Sequence, residues 1–208
     1  MRLLDAVIPP AKDAEIARLI TGESLIPLLR REALPDEPWI TYLFPYSNRD
    51  IRALIKALKY RGERAPLLSI GKIIGDEILD MLYEKRSFEG WDAPLMIPIP
   101  GSAKRVRERG FSQAERIADA LMPVLKDAVT YLPDALKKDE RKSQVQVPRT
   151  KRVENVFGSF SVKETKIVFG KCIILIDDVV ESGATLKDAK RALLGAGAKD
   201  VIALAIAH

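Results

Sequence analysis

The sequence predicts an α/β fold in which helices flank a mostly parallel, twisted sheet, with a helical appendage at the N-terminal end. From APLMIPIP onward, short apolar runs alternate with helical segments, which is the pattern of strand and helix units in a parallel sheet. The 208 residues suffice to bury one core, and 47% hydrophobic with 30% charged residues is typical of globular proteins. We therefore expect an appendage over residues 1–45 and one domain over residues 46–208.

Helices are predicted ahead of the sheet. In the appendage, DAEIARLI and SLIPLLRREAL are helix-like, although Gly22 and Pro27 interrupt them. NRDIRALIKALKYRGE is a clearer helix, because Asn48 can cap it and apolar residues repeat on one face. LLSIGKIIGDEILDMLYEK follows as a second amphipathic helix, in which Gly71 and Gly75 would allow close packing.

The strand candidates are APLMIPIP, AVTYL, FGSFSV, KCIILIDDVV and DVIALAIA. Helix is predicted for FSQAERIADALMPVL, where Ser112 and Glu115 stand at capping-box spacing, and for TLKDAKRALLGAG between the last two strands. The closing GAG ends that helix and does not follow a strand. We therefore interpret these glycines as C-terminal caps and not as a dinucleotide-binding fingerprint.

The N-terminal residues do not resemble a signal peptide, because Asp5, Pro9 and Pro10 interrupt their apolar run. No segment approaches the roughly 20 continuous apolar residues that span a bilayer. The single cysteine, Cys172, heads an apolar strand and is expected to be a small core residue. We expect a cytoplasmic protein.

Basic residues crowd two segments, SAKRVRERG and KKDERKSQVQVPRTKR, in a chain of net charge +5. Both segments lack helical or strand periodicity and are predicted to be loops. Two basic loops suit a polyanionic partner, either the phosphates of a small ligand or a nucleic-acid backbone. The alternative interpretation is a solvated charged face.

The stretch ILIDDVVESGAT predicts a ligand site. In a parallel sheet, ligands bind beyond the carboxyl ends of the strands, where the next helix presents unpaired N–H groups to anions. Ser182, Gly183 and Ala184 are small enough for the backbone to approach a phosphate closely, and the hydroxyls of Ser182 and Thr185 can add donors.

Two adjacent carboxylates, Asp177 and Asp178, end the same strand. Burying an unpaired carboxylate costs several kcal/mol, so both are expected to face a cleft and contact ligand hydroxyls or a metal. Acids followed by a phosphate-binding loop suit a sugar phosphate. The alternative is that one of the aspartates caps a turn and that the loop is tight without binding a ligand.

The string IILIDDVVESGATL resembles the phosphoribosyl pyrophosphate (PRPP) motif of type I phosphoribosyltransferases. Together with IRALIKALKYRGE, PIPGSAKRVRERGFSQAERIADAL and QVQVPRTKRVENVFGSF, it resembles the ComF family, competence-associated proteins with a phosphoribosyltransferase domain. The resemblance covers the chain from about Tyr46 to its end and implies the type I phosphoribosyltransferase fold for residues 46–208. Family members commonly begin with a zinc ribbon, but residues 1–45 contain no cysteine, so we expect no zinc site.

The resemblance implies roles for the residues of this motif. Asp177 and Asp178 would contact the 2′ and 3′ hydroxyls of the ribose. The 5′-phosphate would be surrounded by Glu181, Ser182, Gly183, Ala184 and Thr185.

Cations elsewhere in the chain would act on the leaving group. The resemblance implies that Lys104 and Arg105 approach the pyrophosphate together with Mg²⁺, which PRPP would hold with help from the two aspartates. Arg149, Lys151 and Arg152 would form a mobile loop that closes over the site and assists catalysis. Loss of pyrophosphate leaves oxocarbenium character on the sugar and negative charge on the leaving group, so cations favour the transition state.

Glu181 departs from the ComF pattern, in which a threonine or a similar small residue is usual. Phosphoribosyltransferases of the hypoxanthine-guanine type carry an aspartate there as a proton acceptor for the base. Glu181 is therefore a candidate general base or base-recognition group, and the alternative is that its longer side chain turns to solvent.

The acceptor-binding hood is expected from the first 90 or so residues, where aromatic side chains are available for stacking: Trp39, Tyr42, Phe44 and Tyr46. Ordinary core packing is the alternative for all of them. His208 is not expected to be catalytic.

Three functions remain open. The first is Mg²⁺-dependent transfer of phosphoribose from PRPP to a nitrogen nucleophile such as a nucleobase or amine. The second is binding of single-stranded DNA, and the third is a PRPP-sensing regulator without chemistry. Single-strand binding usually places aromatic platforms among the cations, and only Phe111 does so here, which weakens the case for direct DNA binding.

Overall fold

The structure, a computed structural model, describes residues 16–17, 19–60, 64–139 and 158–208; the side chains of residues 58–60, 64–69, 104, 105 and 109 lie outside that description. The helices are α1 (Gly22–Leu25), α2 (Arg49–Tyr60), α3 (Arg64–Glu89), α4 (Ala103–Arg109), α5 (Gln113–Leu125), α6 (Thr165–Val168) and α7 (Ala184–Gly195), with a 3₁₀ turn at Ile26–Leu28. The strands are β1 (Glu32–Leu34), β2 (Glu37–Phe44), β3 (Leu95–Pro98), β4 (Thr130–Tyr131), β5 (Leu136–Lys138), β6 (Phe160–Val162), β7 (Cys172–Val179) and β8 (Asp200–Ala207).

The central sheet has six strands in the order β1-β2-β8-β7-β3-β4. Only β1 and β2 pair antiparallel, and every other neighbouring pair in this sheet is parallel. Strands β5 and β6 form a separate antiparallel ribbon. The predicted α/β class with a mostly parallel sheet is confirmed.

Each face of the sheet packs into its own hydrophobic core, as the period of two in a strand requires. In β7, Ile174 and Ile176 contribute to the core shared with α2, α3 and α5. Ile173 and Leu175 contribute to the opposite core, which includes α7 and the β5–β6 ribbon. Cys172 is buried among the first set, as predicted.

Helices α3 and α5 pack closely through two glycines. A Cβ added to Gly71 would collide with the backbone of Ala120, and one added to Gly75 would lie 2.7 Å from the Cβ of Val124. The predicted close packing at Gly71 and Gly75 is therefore confirmed. Asn48 also caps α2 as predicted, since its Oδ1 accepts from the amide of Asp50 at 2.8 Å.

The prediction of a helical appendage is wrong for residues 32–44, which form two strands of the central sheet. The run WITYLF in β2 is rich in β-branched and aromatic residues, which favour a strand. Its residues Ile40 to Phe44 pair in parallel with Ala203 to Ala207 of β8. The sheet therefore begins before Tyr46, and the division of the chain at residue 45 stays a prediction.

Three further predictions need correction. The segment SAKRVRERG is largely the helix α4 and not a loop, because Ala, Arg, Lys and Glu are strong helix formers even without an apolar stripe. Lys137 and Lys138, placed in the second basic loop, lie in β5. Helix α5 does begin after Ser112, but the Ser112 hydroxyl makes no capping hydrogen bond.

None of the described helices combines the length and apolarity needed to cross a membrane.

Candidate functional site

A cleft of about 750 Å³ opens at the carboxyl end of β7. Residues 177–186 form much of its wall, and Tyr46, Gln113 and His208 complete the lining. The two predicted aspartates and the whole predicted phosphate loop thus face one cavity. This is the position at which open parallel sheets bind ligands.

The loop between β7 and α7 turns on Gly183. Gly183 is the N-cap residue of α7 and has a φ of 70°, a conformation that favours glycine. A Cβ there would also lie 2.8 Å from Cδ1 of Ile40. The turn leaves the first amides of a helix of 12 residues at the cleft, where unpaired N–H groups and the helix dipole favour an anion.

The two carboxylates at the end of β7 influence each other. Oδ1 of Asp177 accepts a hydrogen bond of 2.9 Å from the amide of Asp178. Burial, followed by repulsion from the Asp178 carboxylate, raises the pKa of Asp177 well above its ordinary value, while Lys138 opposes the rise. The pair is therefore a place where an added cation or hydroxyl donor would be favourable.

A smaller cavity of about 160 Å³ adjoins the cleft and shares Asp177 and Asp178 with it. The loop after β3, with Gly101 and Ser102, forms one wall, and a hydrogen bond of 2.9 Å from the Ile99 amide to the Ile176 carbonyl holds that loop beside β7. Lys104 and Arg105, to which the family resemblance gives a role at the pyrophosphate, follow this loop in the chain.

Sequence reasoning missed three residues that line the smaller cavity: Ser112, Gln113 and Lys138. Ser112 is 3% exposed, and neither its Oγ nor Nε2 of Gln113 has a hydrogen-bond partner among the described residues. Buried polar atoms without partners are rare in proteins and mark places where a ligand or water completes the bonding. Sequence reasoning interpreted Ser112 only as a helix cap and Lys138 only as one of several basic residues in a predicted loop.

Five predicted cations cannot be placed in either cavity. The side chains of Lys104 and Arg105, on α4, lie outside the described residues, and so do Arg149, Lys151 and Arg152. Their roles at the pyrophosphate and in a closing loop therefore remain predictions.

Tyr46 and His208 form the far end of the larger cleft. The Tyr46 amide donates to the His208 carbonyl at 2.7 Å, and the His208 amide donates to the Phe44 carbonyl at 3.2 Å. Nδ1 of His208 lies 3.0 Å from the Val180 carbonyl oxygen. Because a carbonyl oxygen only accepts, this contact requires a proton on Nδ1, and Nε2 is the acceptor of the ring in that neutral tautomer.

The other aromatic candidates for the hood have different positions. Phe44 is completely buried in the core. Trp39 donates through Nε1 to Glu37, with the Lys190 ammonium 4.2 Å from its ring centroid. Tyr42 packs against the His208 ring at a centroid separation of 4.9 Å. Of the four, Tyr46 alone lines the cleft. His208, which the sequence analysis set aside, is beside it because β8 ends at the same edge of the sheet as β7.

Comparisons with known proteins concern the same part of the chain. Residues 106–208 match the phosphoribosyl transferase domain family, and this span contains the acid pair and the loop predicted to bind phosphate. Competence protein ComFC of Bacillus subtilis is 29% identical over 150 residues, which cover 72% of this chain and 56% of the relative. Competence protein ComFC of Streptococcus pneumoniae is 34% identical over 159 residues, covering 76% and 63%. The chain thus spans less than two thirds of the length of either relative.

Solved structures with a similar fold include two enzymes of phosphoribosyl chemistry. Glutamine PRPP amidotransferase from B. subtilis, complexed with ADP and GMP, is 19% identical with a TM-score of 0.40, covering 77% of this chain and 28% of that one. Hypoxanthine phosphoribosyl transferase from Trypanosoma cruzi is 10% identical with a TM-score of 0.38, covering 73% and 64%.

Proposed function

Since this chain belongs to the ComF family and carries a type I phosphoribosyltransferase domain, we propose that its cleft binds PRPP and transfers the phosphoribosyl group to a nitrogen nucleophile. The observation that carries this proposal is that two adjacent carboxylates and the start of a helix lie next to each other on one wall of the cleft. Asp177 and Asp178 end β7, and the glycine-capped start of α7 follows within a few residues.

The two parts of this wall suit the two ends of a ribose 5-phosphate. The 5′-phosphate accepts hydrogen bonds from the amides that begin α7 and from the hydroxyls of Ser182 and Thr185. The Asp177 and Asp178 carboxylates accept hydrogen bonds from the 2′ and 3′ hydroxyls of the ribose. Both sets of contacts hold the sugar with its anomeric carbon toward the centre of the cleft.

The acid pair also fits Mg²⁺. This ion commonly binds one or two carboxylates together with substrate phosphates, and the two aspartates supply oxygen ligands of that kind. Bound with PRPP, Mg²⁺ would neutralise part of the negative charge that develops on pyrophosphate.

The smaller cavity suits the pyrophosphate of PRPP. Lys138, Ser112 and Gln113 line it together with the aspartates. The ammonium, hydroxyl and amide groups of these three side chains can donate hydrogen bonds to phosphate oxygens. From the family resemblance we add Lys104 and Arg105 to this set, with Arg149, Lys151 and Arg152 as the cations of the closing loop.

In the proposed reaction, the bond between the anomeric carbon and the pyrophosphate oxygen breaks, and its electron pair leaves with pyrophosphate. The acceptor nitrogen forms the new bond to that carbon and loses a proton. Glu181 lines the cleft and is the proposed proton acceptor. Tyr46 and His208 are proposed to hold the acceptor, Tyr46 by stacking and His208 by accepting an N–H hydrogen bond at Nε2.

Binding of PRPP is tested by replacing both aspartates. In the Asp177→Asn, Asp178→Asn double variant, Mg²⁺-dependent PRPP binding measured by titration calorimetry should disappear, while the circular dichroism spectrum stays that of the wild type. Asp200→Asn is the matched control, because Asp200 is the first residue of β8 and lies at the amino end of the parallel strands, away from the cleft at their carboxyl ends. Unchanged PRPP affinity in the double variant would refute the assignment.

Transfer is tested by screening nucleobases and amines for release of pyrophosphate from PRPP. Release with at least one acceptor, abolished in the double variant, is the expected result. Tight PRPP binding with no release from any acceptor would instead favour the PRPP-sensing regulator.

A second candidate function is binding of single-stranded DNA. The names of the two ComFC relatives connect this family with competence, and basic residues crowd two segments of this chain. Replacing Arg149, Lys151 and Arg152 with alanine should weaken single-strand binding and flatten its dependence on salt. If the wild-type protein shows no salt-sensitive binding, the DNA hypothesis fails.

A further inference from the structure

Among the described residues, Asp188 is the only charged one that is fully buried, with 1% of its surface exposed. It lies on α7, just after the phosphate loop that begins this helix. Removing a carboxylate from water costs several kcal/mol unless good hydrogen bonds replace the lost hydration. The partners of Asp188 therefore indicate what its burial achieves.

Three successive backbone amides donate to this carboxylate. Oδ1 accepts from the Gly158 amide at 2.7 Å, and Oδ2 accepts from the amides of Ser159 at 2.7 Å and Phe160 at 3.2 Å. The Arg191 guanidinium donates to Oδ1 from Nε at 3.0 Å and Nη2 at 2.9 Å. Hydrogen bonds to an ionised acceptor are stronger than neutral ones, so Asp188 fixes the backbone that leads into β6.

The fixed backbone in turn determines where Lys138 lies. Lys138 on β5 is the register partner of Phe160 on β6, and the Asp139 amide donates to the Ser159 carbonyl at 2.7 Å. The Lys138 ammonium is 5.3 Å from the centroid of the Phe160 ring, which is itself 4% exposed. Each of these contacts joins Lys138 or its neighbour to a residue that Asp188 holds.

Lys138 is also the cation that lines the smaller cavity together with the acid pair. The side chain of Phe160 and the chain direction of β5 bring it there from a ribbon that does not belong to the central sheet. The ribbon shares a hydrophobic core with α7, and the hydrogen bonds of Asp188 add a polar attachment that fixes the backbone at the start of β6 on this helix.

We propose that Asp188 is a positioning residue, which holds the Lys138 ammonium beside Asp177 and Asp178 by binding the amides of Gly158, Ser159 and Phe160. Helix α7 then performs two tasks, since its first turn binds the 5′-phosphate and its next turn places a cation for the pyrophosphate. The inference rests on the proposed function, because the ligand of Lys138 is the pyrophosphate group of PRPP.

The test is a double-mutant cycle on binding of Mg²⁺ and PRPP. Asp188→Asn keeps the size of the side chain but directs an N–H donor at backbone amides, and Lys138→Met removes the ammonium. Each change should weaken binding about tenfold, the effect of losing one charged contact, and the pair together should also lose about tenfold. A loss of about a hundredfold in the double variant would show that the two residues act independently and overturn the proposal.

Asp200→Asn is the control for this cycle. The Asp200 carboxylate also accepts a hydrogen bond from a backbone amide, that of Val201 at 2.7 Å. It does so at the amino end of β8, remote from the cleft. Its PRPP affinity should match that of the wild type. Asp188→Glu gives a second variant that keeps the charge and displaces the three amides by one methylene. Its affinity should fall in the same direction, and an unchanged affinity contradicts the proposal.

A measurement without ligand separates this inference from the proposed function. In Asp188→Asn, hydrogen exchange should accelerate at the amides of Ser159, Phe160 and Asp139, of which the first two donate to Asp188 and the third to the Ser159 carbonyl, but not at those of β7. Unchanged exchange at these three amides overturns the positioning role whether or not PRPP binds. If exchange accelerates as expected while wild-type protein does not bind PRPP, the proposed function fails and the attachment of Lys138 through Asp188 stands.

Discussion

Gly183 of the phosphate loop lies directly against Ile40 of β2, so closely that a Cβ on the glycine would be 2.8 Å from Cδ1 of the isoleucine. Leu34 of β1 lies behind the same point, 3.3 Å from that Cβ position. The loop proposed to bind the 5′-phosphate therefore rests on strands from the N-terminal part of the chain. Its geometry depends on residues about 140 positions earlier in the sequence.

Gly183→Ala should destabilise the fold and weaken PRPP binding together. The positive φ and the collision with Ile40 together predict a loss of about 2–4 kcal/mol in the free energy of unfolding. Chemical denaturation and calorimetry measure the two effects. The control is Gly195→Ala, because a Cβ at Gly195 meets nothing within 4 Å. That variant should lie within about 1 kcal/mol of the wild type, and equal effects of the two changes would contradict the role of Gly183.

Asp177→Asn should stabilise the ligand-free protein at neutral pH while it abolishes PRPP binding. The pKa of Asp177 is raised by burial and by Asp178, so the folded state binds a proton more tightly than the unfolded state. Stability from this group is fully present below the unfolded pKa and falls as pH rises through the folded pKa. The stabilising effect of Asp177→Asn should therefore grow over that window and be smallest in acid. Denaturation curves at several pH values measure it, and a variant less stable than the wild type at pH 7 would contradict the charge argument.

Glu181→Gln should slow transfer without weakening PRPP binding. The amide keeps the size of the side chain but cannot take a proton, and loss of a general base typically costs about a hundredfold or more in turnover. Single-turnover release of pyrophosphate, with an acceptor found in the screen, measures this step. Glu164→Gln is the matched control, since Glu164 is an exposed residue at the start of α6. Turnover within about threefold of the wild type would instead mean that Glu181 faces solvent during the reaction.

Tyr46→Leu and His208→Ala should each raise KM for the acceptor and leave PRPP affinity unchanged. Loss of an aromatic platform under a base should cost about tenfold, and loss of Nε2 removes a hydrogen-bond acceptor for an N–H group. Tyr83→Leu is the control, because Tyr83 is an exposed aromatic residue on α3 that lines neither cavity. If PRPP affinity falls and KM for the acceptor does not change, the far end of the cleft has been assigned to the wrong substrate.

The residues that sequence reasoning assigned to a ligand line one cleft because they are close together in the chain. Residues 177–185 span the end of one strand, one turn and the start of one helix. Residues that are neighbours in the sequence are therefore also neighbours in the cleft, and a local motif is enough to identify them. Gly183, Asp177 and Asp178 lie where that reasoning placed them. The same argument explains why the helices with a clear apolar stripe, α2 and α3, were predicted well.

The periphery of the site was missed because it is assembled by topology. Lys138 comes from a ribbon outside the central sheet, and His208 from the end of a strand two hundred residues from the start of the chain. Neither carries a motif, and Gln113 resembles any polar residue at a helix start. The place of β2 was missed for a related reason. The composition of WITYLF favours a strand, but its neighbour β8 lies at the other end of the sequence, and composition does not show which strands pair.

The pairing of β2 with β8 has a practical consequence for anyone who wishes to isolate the domain predicted for residues 46–208. A fragment starting at Tyr46 would lack β2 and would expose one edge of β8, a strand with seven buried residues. The N–H and C=O groups of β8 that face β2 between Ala203 and Ala207 would then be unpaired. An apolar strand with an open edge recruits other strands, so such a fragment is expected to self-associate. Expression of the piece that contains every motif would thus yield aggregates, and soluble protein requires the strands that no motif marks.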